Sequence, residues 1–325
     1  MYFLQDLVKL IHVWEKYKKE QGRNMEDNFD VKNAISGVLV VDKPIGLTSH
    51  DVVQIIRRGT NIRRAGHTGT LDPRASGVLV VLLGPAVRLS EYVSASDKRY
   101  QAIIRLGATT DTYDADGTIT ASSPVNITEE QFENTLKQFV GEIEQTPPPF
   151  SAIKVKGKRA YEMAREGEEV DLAPRKINVY NLELLEWAPP EAVIDVYCSS
   201  GTYVRSLAND LGEALGCGAH LVGLRRTKSG RFTLRDAIPM RKLREGFEAG
   251  NWYQFLIPAA EALSDWPVVE VTHDQVDALR HGNRIPAEPG SPERGRGISE
   301  AGELVALLEF NAETQEWQPK KVFFS

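Results

Sequence analysis

The stretch HTGTLDPRASGVLVV (residues 67–81) joins a glycine-rich loop to an apolar run that starts at Val78. A short, continuous apolar run is typical of a buried strand. The loop before it carries one acid, Asp72, between Leu71 and Pro73. Glycines let a backbone turn tightly and approach a ligand closely. The stretch therefore predicts a structured loop that presents a carboxylate in apolar surroundings, although an aspartate before a proline is also a common turn pair.

Strands and helices alternate around this stretch, but their spacing is irregular. The predicted strands are GVLVVDKP (residues 37–44), GVLVVLLG (77–84), RYQAIIRLGA (99–108) and AVIDVYCSSG (192–201). The predicted helices are TSHDVVQIIRR (48–58), TEEQFENTLKQFVGEI (128–143) and GTYVRSLANDLGEALG (201–216). Several connections look like hairpins, which favours a mixed α+β fold over a doubly wound parallel sheet.

Capping residues predict where these helices begin. Thr48 or Ser49 caps the first helix, Thr128 and Gln131 form a capping box for the second, and Thr202 caps the third. The apolar face expected for the second helix comprises Phe132, Leu136, Phe139 and Val140.

The length of 325 residues allows two domains. We expect an N-terminal extension at residues 1–34 with a short amphipathic helix, a main domain at 35–250 and a small β-rich domain at 251–325. Met25 is an alternative start of the chain. No run of 18 apolar residues indicates a membrane helix, no signal peptide is apparent, and two cysteines cannot form a disulfide framework. A reducing cytoplasm is therefore expected.

The net charge of −6 belongs entirely to residues 251–325, so the rest of the chain is neutral. Within that neutral part, three basic clusters contain no acid: IIRRGTNIRR (55–64), KVKGKR (154–159) and LRRTKSGRFTLR (224–235). Such clusters bind phosphate even on an acidic protein, and the alternative is three solvated loops.

Two further side chains stand in unusual places. Arg205 falls in the first turn of a predicted helix, where the helix dipole does not favour a cation. Tyr100 begins a strand behind Lys98 and Arg99. Taken alone, these are equally well explained as a surface arginine and a core tyrosine.

Together the motifs resemble the TruB family of tRNA pseudouridine synthases. The resemblance covers residues 35–235 in five motifs, in order and spacing. The motifs are GVLVVDKPIGLTSHDVV (37–53), RRAGHTGTLDPRASGVLVVLLGPAVRLSEYV (63–93), KRYQAIIRLGATTDTYDADG (98–117), TPPPFSAIKVKGKRAYEMAREG (146–167) and CSSGTYVRSLANDLGEALGCGAHLVGLRRTKSGRF (198–232). A weaker match, LRHGNRI…LVALLEF…PKKVFF, is similar to a small PUA-type RNA-binding domain.

The resemblance implies a fold and a reaction. The fold is a mixed, largely antiparallel pseudouridine synthase sheet with a small β-rich PUA-like C-terminal domain. The reaction is isomerisation of uridine 55 in the tRNA T-loop to pseudouridine, after the base has flipped out of its stack. No cofactor and no metal are implied. The implied partner is the T-loop and stem of tRNA, with no membrane, no required protein partner and a monomeric enzyme.

Site residues follow from the resemblance position by position. Asp72 is the essential acid, acting as nucleophile or as base, and Arg205 pairs with it and orients it bidentately. Tyr100 stacks on the flipped base. The further roles expected are pocket contacts for Tyr203 and Leu224, an RNA contact for His67, and structural support from Lys43 and Pro44.

Three other readings stay open at this point. A non-catalytic RNA-binding or RNA-folding protein needs the basic clusters but not Asp72. A carboxylate-pair glycosidase uses Asp72 with Asp42 or Asp114, and leaves the basic clusters without a purpose. A guide-RNA-dependent relative is less favoured, because TPPPFSAIKVKGKRAYEMAREG is typical of stand-alone bacterial enzymes.

Overall fold

The computed structural model describes residues 35–151, 153–155, 158–160, 163, 166 and 172–323. The predicted extension at residues 1–34, with its amphipathic helix, lies outside the described residues. So does part of the KVKGKR cluster.

A large mixed sheet organises residues 37–258. Its strands follow the order β14-β1-β3-β12-β4-β11-β10-β7, with β2, β13 and β15 paired at its margins. These strands are β1 (Gly37–Lys43), β2 (Ala65–His67), β3 (Ala75–Leu83), β4 (Lys98–Leu106), β7 (Gly141–Gln145), β10 (Arg175–Ala188), β11 (Glu191–Cys198), β12 (Ala219–Ser229), β13 (Phe232–Thr233), β14 (Ile238–Pro239) and β15 (Ile257–Pro258). Only the β1–β14 and β3–β12 pairs are parallel among the described strands of this sheet. The mixed, largely antiparallel α+β fold is thus confirmed.

Two short hairpins lie outside this sheet. They pair β5 (Ala108–Thr110) with β6 (Ile119–Ser122), and β8 (Lys154–Val155) with β9 (Lys158–Arg159).

The burial of the strands matches their sequence patterns. In β4, alternate residues from Lys98 to Leu106 are buried and the intervening residues are exposed, as period-2 patterning predicts. In β3, every residue from Gly77 to Leu83 is buried, because both faces of this central strand pack against core side chains.

Helices cover the sheet, and local capping chemistry sets most of their starts. The helices are α1 (Ser49–Thr60), α2 (Ser90–Ser94), α3 (Glu129–Gln138), α4 (Val204–Ala214), α5 (Met240–Glu248) and α6 (His273–Arg280). Thr48 caps α1 and Thr128 caps α3, each in a complete capping box, so both predicted starts are confirmed.

Two helix predictions are wrong at one end. Helix α3 ends at Gln138, and Gly141 begins β7 with a φ of 107°. The helical pattern of the sequence continues past Gln138, but the chain from Gly141 pairs with β10 as strand β7. Val140 is therefore exposed. Thr202 does not cap α4, because its hydroxyl donates to the Ser199 carbonyl instead.

A second sheet, in the order β16-β18-β19-β20-β17, follows in the chain. Its strands are β16 (Val268–Val271), β17 (Ile285–Pro286), β18 (Arg294–Ser299), β19 (Leu304–Asn311) and β20 (Glu316–Val322). This sheet has its own core around Leu308 and Trp317. Leu307 and Phe323 also pack against the large sheet next to Val40 and Val80.

No helix in the described part of the chain is long and apolar enough to cross a membrane.

Candidate active site

Asp72 lies in the loop between β2 and β3, and the start of α1 holds that loop in place. The buried Ser49 hydroxyl donates to the Leu71 carbonyl at 3.0 Å and accepts from the Leu71 amide at 2.8 Å. The Gly46 amide donates to the Pro73 carbonyl at 2.8 Å. The residues on either side of Asp72 are therefore fixed to the segment that leads into α1.

The Asp72 carboxylate is paired with Arg205, as expected, but it is less buried than expected. The distance from Arg205 Nε to Asp72 Oδ2 is 3.2 Å. The Asp72 side chain is 44% exposed, whereas that of Arg205 is only 10% exposed. The expectation of an acid in apolar surroundings is therefore wrong: the arginine is buried and the acid projects from it toward solvent.

Arg205 does not bind Asp72 bidentately, because its guanidinium is shared among four acceptors. One terminal nitrogen lies 3.3 Å from Asp114 Oδ2 and 3.4 Å from the Thr112 carbonyl. The other donates to the Phe150 carbonyl at 3.0 Å. This spread of contacts fixes the plane of the guanidinium.

Asp114 is a second carboxylate paired with Arg205, and hydrogen bonds hold it in place. Its side chain is 17% exposed. Its Oδ1 accepts from the Thr112 hydroxyl at 2.6 Å and from the Asp116 amide at 3.0 Å. The loop that carries it is pinned to β12, since the Ala115 amide donates to the Leu221 carbonyl at 2.9 Å.

The start of α4 is fixed from a neighbouring strand rather than by a local cap. The buried Gln145 side chain accepts from the Tyr203 amide at 2.8 Å and donates to the Tyr203 carbonyl at 3.1 Å. Arg205 is thus two residues away from a firmly held N-cap.

These groups meet in a small cleft that is open to solvent. The residues lining it are Asp72, Arg74, Ala75, Asp114, Arg205, Leu221, Val222, Gly223 and Leu224. It combines a carboxylate pair bridged by a guanidinium with an apolar wall from β12. Such a site can bind a planar polar group and present a carboxylate to it.

Of the expected site residues, three line this cleft and two tyrosines lie near its charged pair. Asp72, Arg205 and Leu224 are brought together. Tyr100 is 9% exposed, and burial raises the pKa of its hydroxyl. Burial likewise raises the pKa of Tyr203.

His67 is half-buried at the end of β2. Burial lowers the pKa of His67, and the nearby charge of Arg226 adds to that effect. Its Nδ1 is buried without a hydrogen-bond partner among the described residues. His67 is therefore held as the neutral imidazole.

Lys43 is fully buried below the loop that follows β1. Its ammonium donates to the carbonyls of Pro44 at 3.0 Å and Leu47 at 2.6 Å. Burial lowers the pKa of Lys43 to about 8. The Lys43 ammonium thus ties together the loop that follows β1, and the supporting role of Lys43 and Pro44 stays a prediction.

The basic clusters differ in what they offer to a phosphate. Arg58, Arg63 and Arg64 are exposed. Arg226, by contrast, is 2% exposed and donates to the backbone carbonyls of the Asp72 loop and of β3, so the expectation that it contacts phosphate is wrong. Arg225 is half-exposed and pairs with Asp42 at 3.0 Å.

Sequence reasoning missed two parts of this arrangement. Asp114 entered only as a glycosidase alternative, although its motif DTYDADG was already part of the resemblance. Its link to Arg205 spans 91 positions, and no local pattern signals it. Ser49 was read as a helix cap, whereas its hydroxyl binds the loop of the acid.

Comparisons with known proteins support one family. Residues 57–204 match the TruB family pseudouridylate synthase (N terminal domain), and residues 205–263 match the tRNA pseudouridylate synthase B C-terminal domain. The chain is 46% identical to tRNA pseudouridine synthase B of Thiobacillus denitrificans, over 78% of this chain and 85% of that protein. It is 41% identical to the protein of the same name from Pseudomonas aeruginosa, over 86% and 93%.

Solved structures agree in fold. A Cbf5-Nop10-Gar1 complex contains a chain that matches with a TM-score of 0.71 and 29% identity, over 92% of this chain and 88% of that one. An H/ACA RNP bound to a substrate RNA containing 2′-deoxyuridine gives a TM-score of 0.69 and 28% identity, over 89% and 85%. Given the two matched domains and these identities over most of its length, the chain belongs to the TruB family of pseudouridylate synthases.

Proposed function

We propose that the protein converts uridine 55 in the T-loop of tRNA to pseudouridine, with Asp72 as the essential acid. The observation that carries the proposal is the half-exposed Asp72 carboxylate, held 3.2 Å from a buried Arg205 at an open cleft in a pseudouridylate synthase fold. The tRNA substrate is supported by relatives named tRNA pseudouridine synthase B at 41–46% identity.

The chemistry needs a carboxylate that can reach the nucleotide and stay oriented. The N1–C1′ bond breaks, the base turns, and C5 bonds to C1′. C5 then loses its proton to solvent while N1 takes one up, so mass is unchanged. Asp72 serves as the nucleophile or the base in this sequence. Arg205 is a permanent cation that holds the Asp72 carboxylate in place at the cleft.

The pocket residues supply the environment for the flipped base. Leu224 is part of the apolar wall, and Tyr100 and Tyr203 lie near the Asp72–Arg205 pair, with Tyr100 as the ring that stacks on the flipped base. An aromatic face offsets part of the stacking that the base loses on leaving the helix, about 1–3 kcal/mol per base. His67, held neutral, offers a hydrogen bond to the RNA beside the cleft.

We infer a stand-alone, monomeric, cytoplasmic enzyme. Identity to the relatives named tRNA pseudouridine synthase B is 41–46%, against 28–29% to chains solved in an H/ACA RNP and in a Cbf5-Nop10-Gar1 complex. The domain division at residues 1–34, 35–250 and 251–325 belongs to the same proposal, with the second sheet as a PUA-like RNA-binding domain. The exposed Arg58, Arg63 and Arg64 extend a positive surface for RNA phosphates.

The test uses tRNA transcripts carrying tritium at uridine C5. Each isomerisation replaces the C5–tritium bond with a C5–C1′ bond, so tritium appears in water. We expect one tritium equivalent per wild-type transcript, and none from a transcript with cytidine at position 55. Release from the position-55 variant equal to that from the wild-type transcript contradicts the proposed site. No release from either transcript contradicts the proposed reaction.

A further inference from the structure

Arg226, in β12, is a buried arginine without an acidic partner. It is 2% exposed, and no carboxylate in the described part of the chain forms an ion pair with it. Two buried lysines, Lys43 and Lys98, lie near it. Burial lowers the pKa of each to about 8, and the positive charge of Arg226 acts in the same direction. An unpaired guanidinium is costly to bury, and it persists only where its hydrogen bonds compensate that cost.

The Arg226 side chain donates to three backbone carbonyls of the segment that carries Asp72. Arg226 Nε donates to the Val78 carbonyl at 2.7 Å. Its terminal nitrogens donate to the Gly69 carbonyl at 3.1 Å and the Thr70 carbonyl at 3.5 Å. Gly69 and Thr70 precede Asp72 and Val78 follows it, so one planar group closes the loop from both sides.

The same residue also lies beside Tyr100. Arg226 and Tyr100 are directly paired across β12 and β4. Burial raises the pKa of the Tyr100 hydroxyl, and the nearby Arg226 charge acts against that shift. On its other side, Arg226 pairs with Gly77 of β3. A Cβ at Gly77 would lie 2.2 Å from the Arg226 carbonyl oxygen, so the two backbones are as close as glycine permits.

We propose that Arg226 is the positioning residue that sets the Asp72 loop and the Tyr100 ring relative to each other. It stands behind the cleft, out of reach of RNA, and acts through the groups it binds. This inference rests on the proposed function. Its signature is a loss in the rate of the chemical step without a loss in RNA affinity, because a small displacement of reacting groups slows chemistry strongly.

The experiment compares Arg226→Lys and Arg226→Gln with Arg296→Lys as a matched control. Arg296 lies in β18 of the second sheet and donates to three backbone carbonyls that precede this sheet. They are those of Ala260 at 2.8 Å, Trp266 at 3.0 Å and Ser264 at 3.4 Å. Lysine keeps the charge at both positions but loses the planar fork. Glutamine removes the charge and, with it, the repulsion from the nearby lysines. It serves as the second variant if Arg226→Lys does not fold.

Three readouts are taken on the full chain. They are the single-turnover rate of tritium release from C5-labelled tRNA, the Kd for that tRNA, and hydrogen exchange of the amides of residues 68–72. We expect the Arg226 variants to lose at least about 30-fold in rate, to keep Kd within about threefold, and to exchange the loop amides faster. Arg296→Lys keeps the wild-type rate and loop exchange.

Three results overturn the inference: an Arg226→Lys rate within about threefold of wild type, a Kd that weakens as much as the rate, or an equal rate loss in Arg296→Lys. Hydrogen exchange separates this inference from the proposed function. If the wild-type protein releases no tritium, the proposed reaction fails, while loop exchange still decides whether Arg226 holds the Asp72 loop.

Discussion

Replacing Arg205 with lysine tests how the acid is oriented. The substitution keeps the positive charge but concentrates it on one nitrogen, whereas the native guanidinium reaches four acceptors. A lysine ammonium near Asp72 and Asp114 cannot also reach the Phe150 carbonyl. One hydrogen bond from a charged donor is worth about 1.5–3 kcal/mol. If the activation free energy rises by that amount because Asp72 is less well oriented, the rate falls about 10- to 100-fold, since each 1.36 kcal/mol is a factor of ten in rate.

The assay is single-turnover tritium release from C5-labelled tRNA, with Kd measured in parallel. Arg99→Lys is the matched control, because the half-exposed Arg99 donates from Nε to both oxygens of the buried Asp195, at 2.8 and 3.0 Å, and does not line the cleft. We expect Arg99→Lys to react at the wild-type rate. An Arg205→Lys rate within about threefold of wild type would refute the idea that the guanidinium plane orients the acid.

Two further predictions concern the support of the site. Ser49→Ala removes both hydrogen bonds to Leu71 and leaves buried backbone groups unpaired, so we expect a loss of about 2 kcal/mol, or roughly 4–8 °C in Tm. Calorimetry checks this against Ser291→Ala, and equal Tm values would contradict it. The folded-state pKa of His67 lies below 6.5, so the unfolded chain binds the extra proton and stability falls as pH drops through 6.5. Denaturant titrations from about pH 7 to 5 should show a weaker decline in His67→Gln, and identical slopes would argue against a buried neutral imidazole.

Local chemistry made the strands and most helix starts predictable. The Thr48 and Thr128 capping boxes and the alternation of β4 depend only on neighbouring residues. The end of α3 was not predictable in this way. Phe139 and Val140 continue a helical period, but β10, far along the chain, pairs with the strand that starts at Gly141.

The candidate site was likewise predictable only in part. The resemblance supplied Asp72 and Arg205 as a pair, and the structure brings them into contact. The inward position of Arg226 depends on irregular register: β12 shifts against β4 between Leu221 and Gly223 and again between Arg226 and Lys228. Such bulges change which face a side chain occupies, so a run of bases in sequence is not a run of bases on one surface.

The substitution Asp72→Asn tests the proposed role of Asp72 most directly. This substitution keeps the shape of the side chain and removes its charge, and Asp277→Asn, at an exposed acid paired with Arg280 on α6, is the matched control. The measurement is pseudouridine formed at position 55 of tRNA in a single turnover, together with Kd for the same tRNA. The account predicts no detectable product from Asp72→Asn with Kd within about tenfold of wild type, or about 1.4 kcal/mol, and full conversion by Asp277→Asn. Substantial conversion by Asp72→Asn would contradict it.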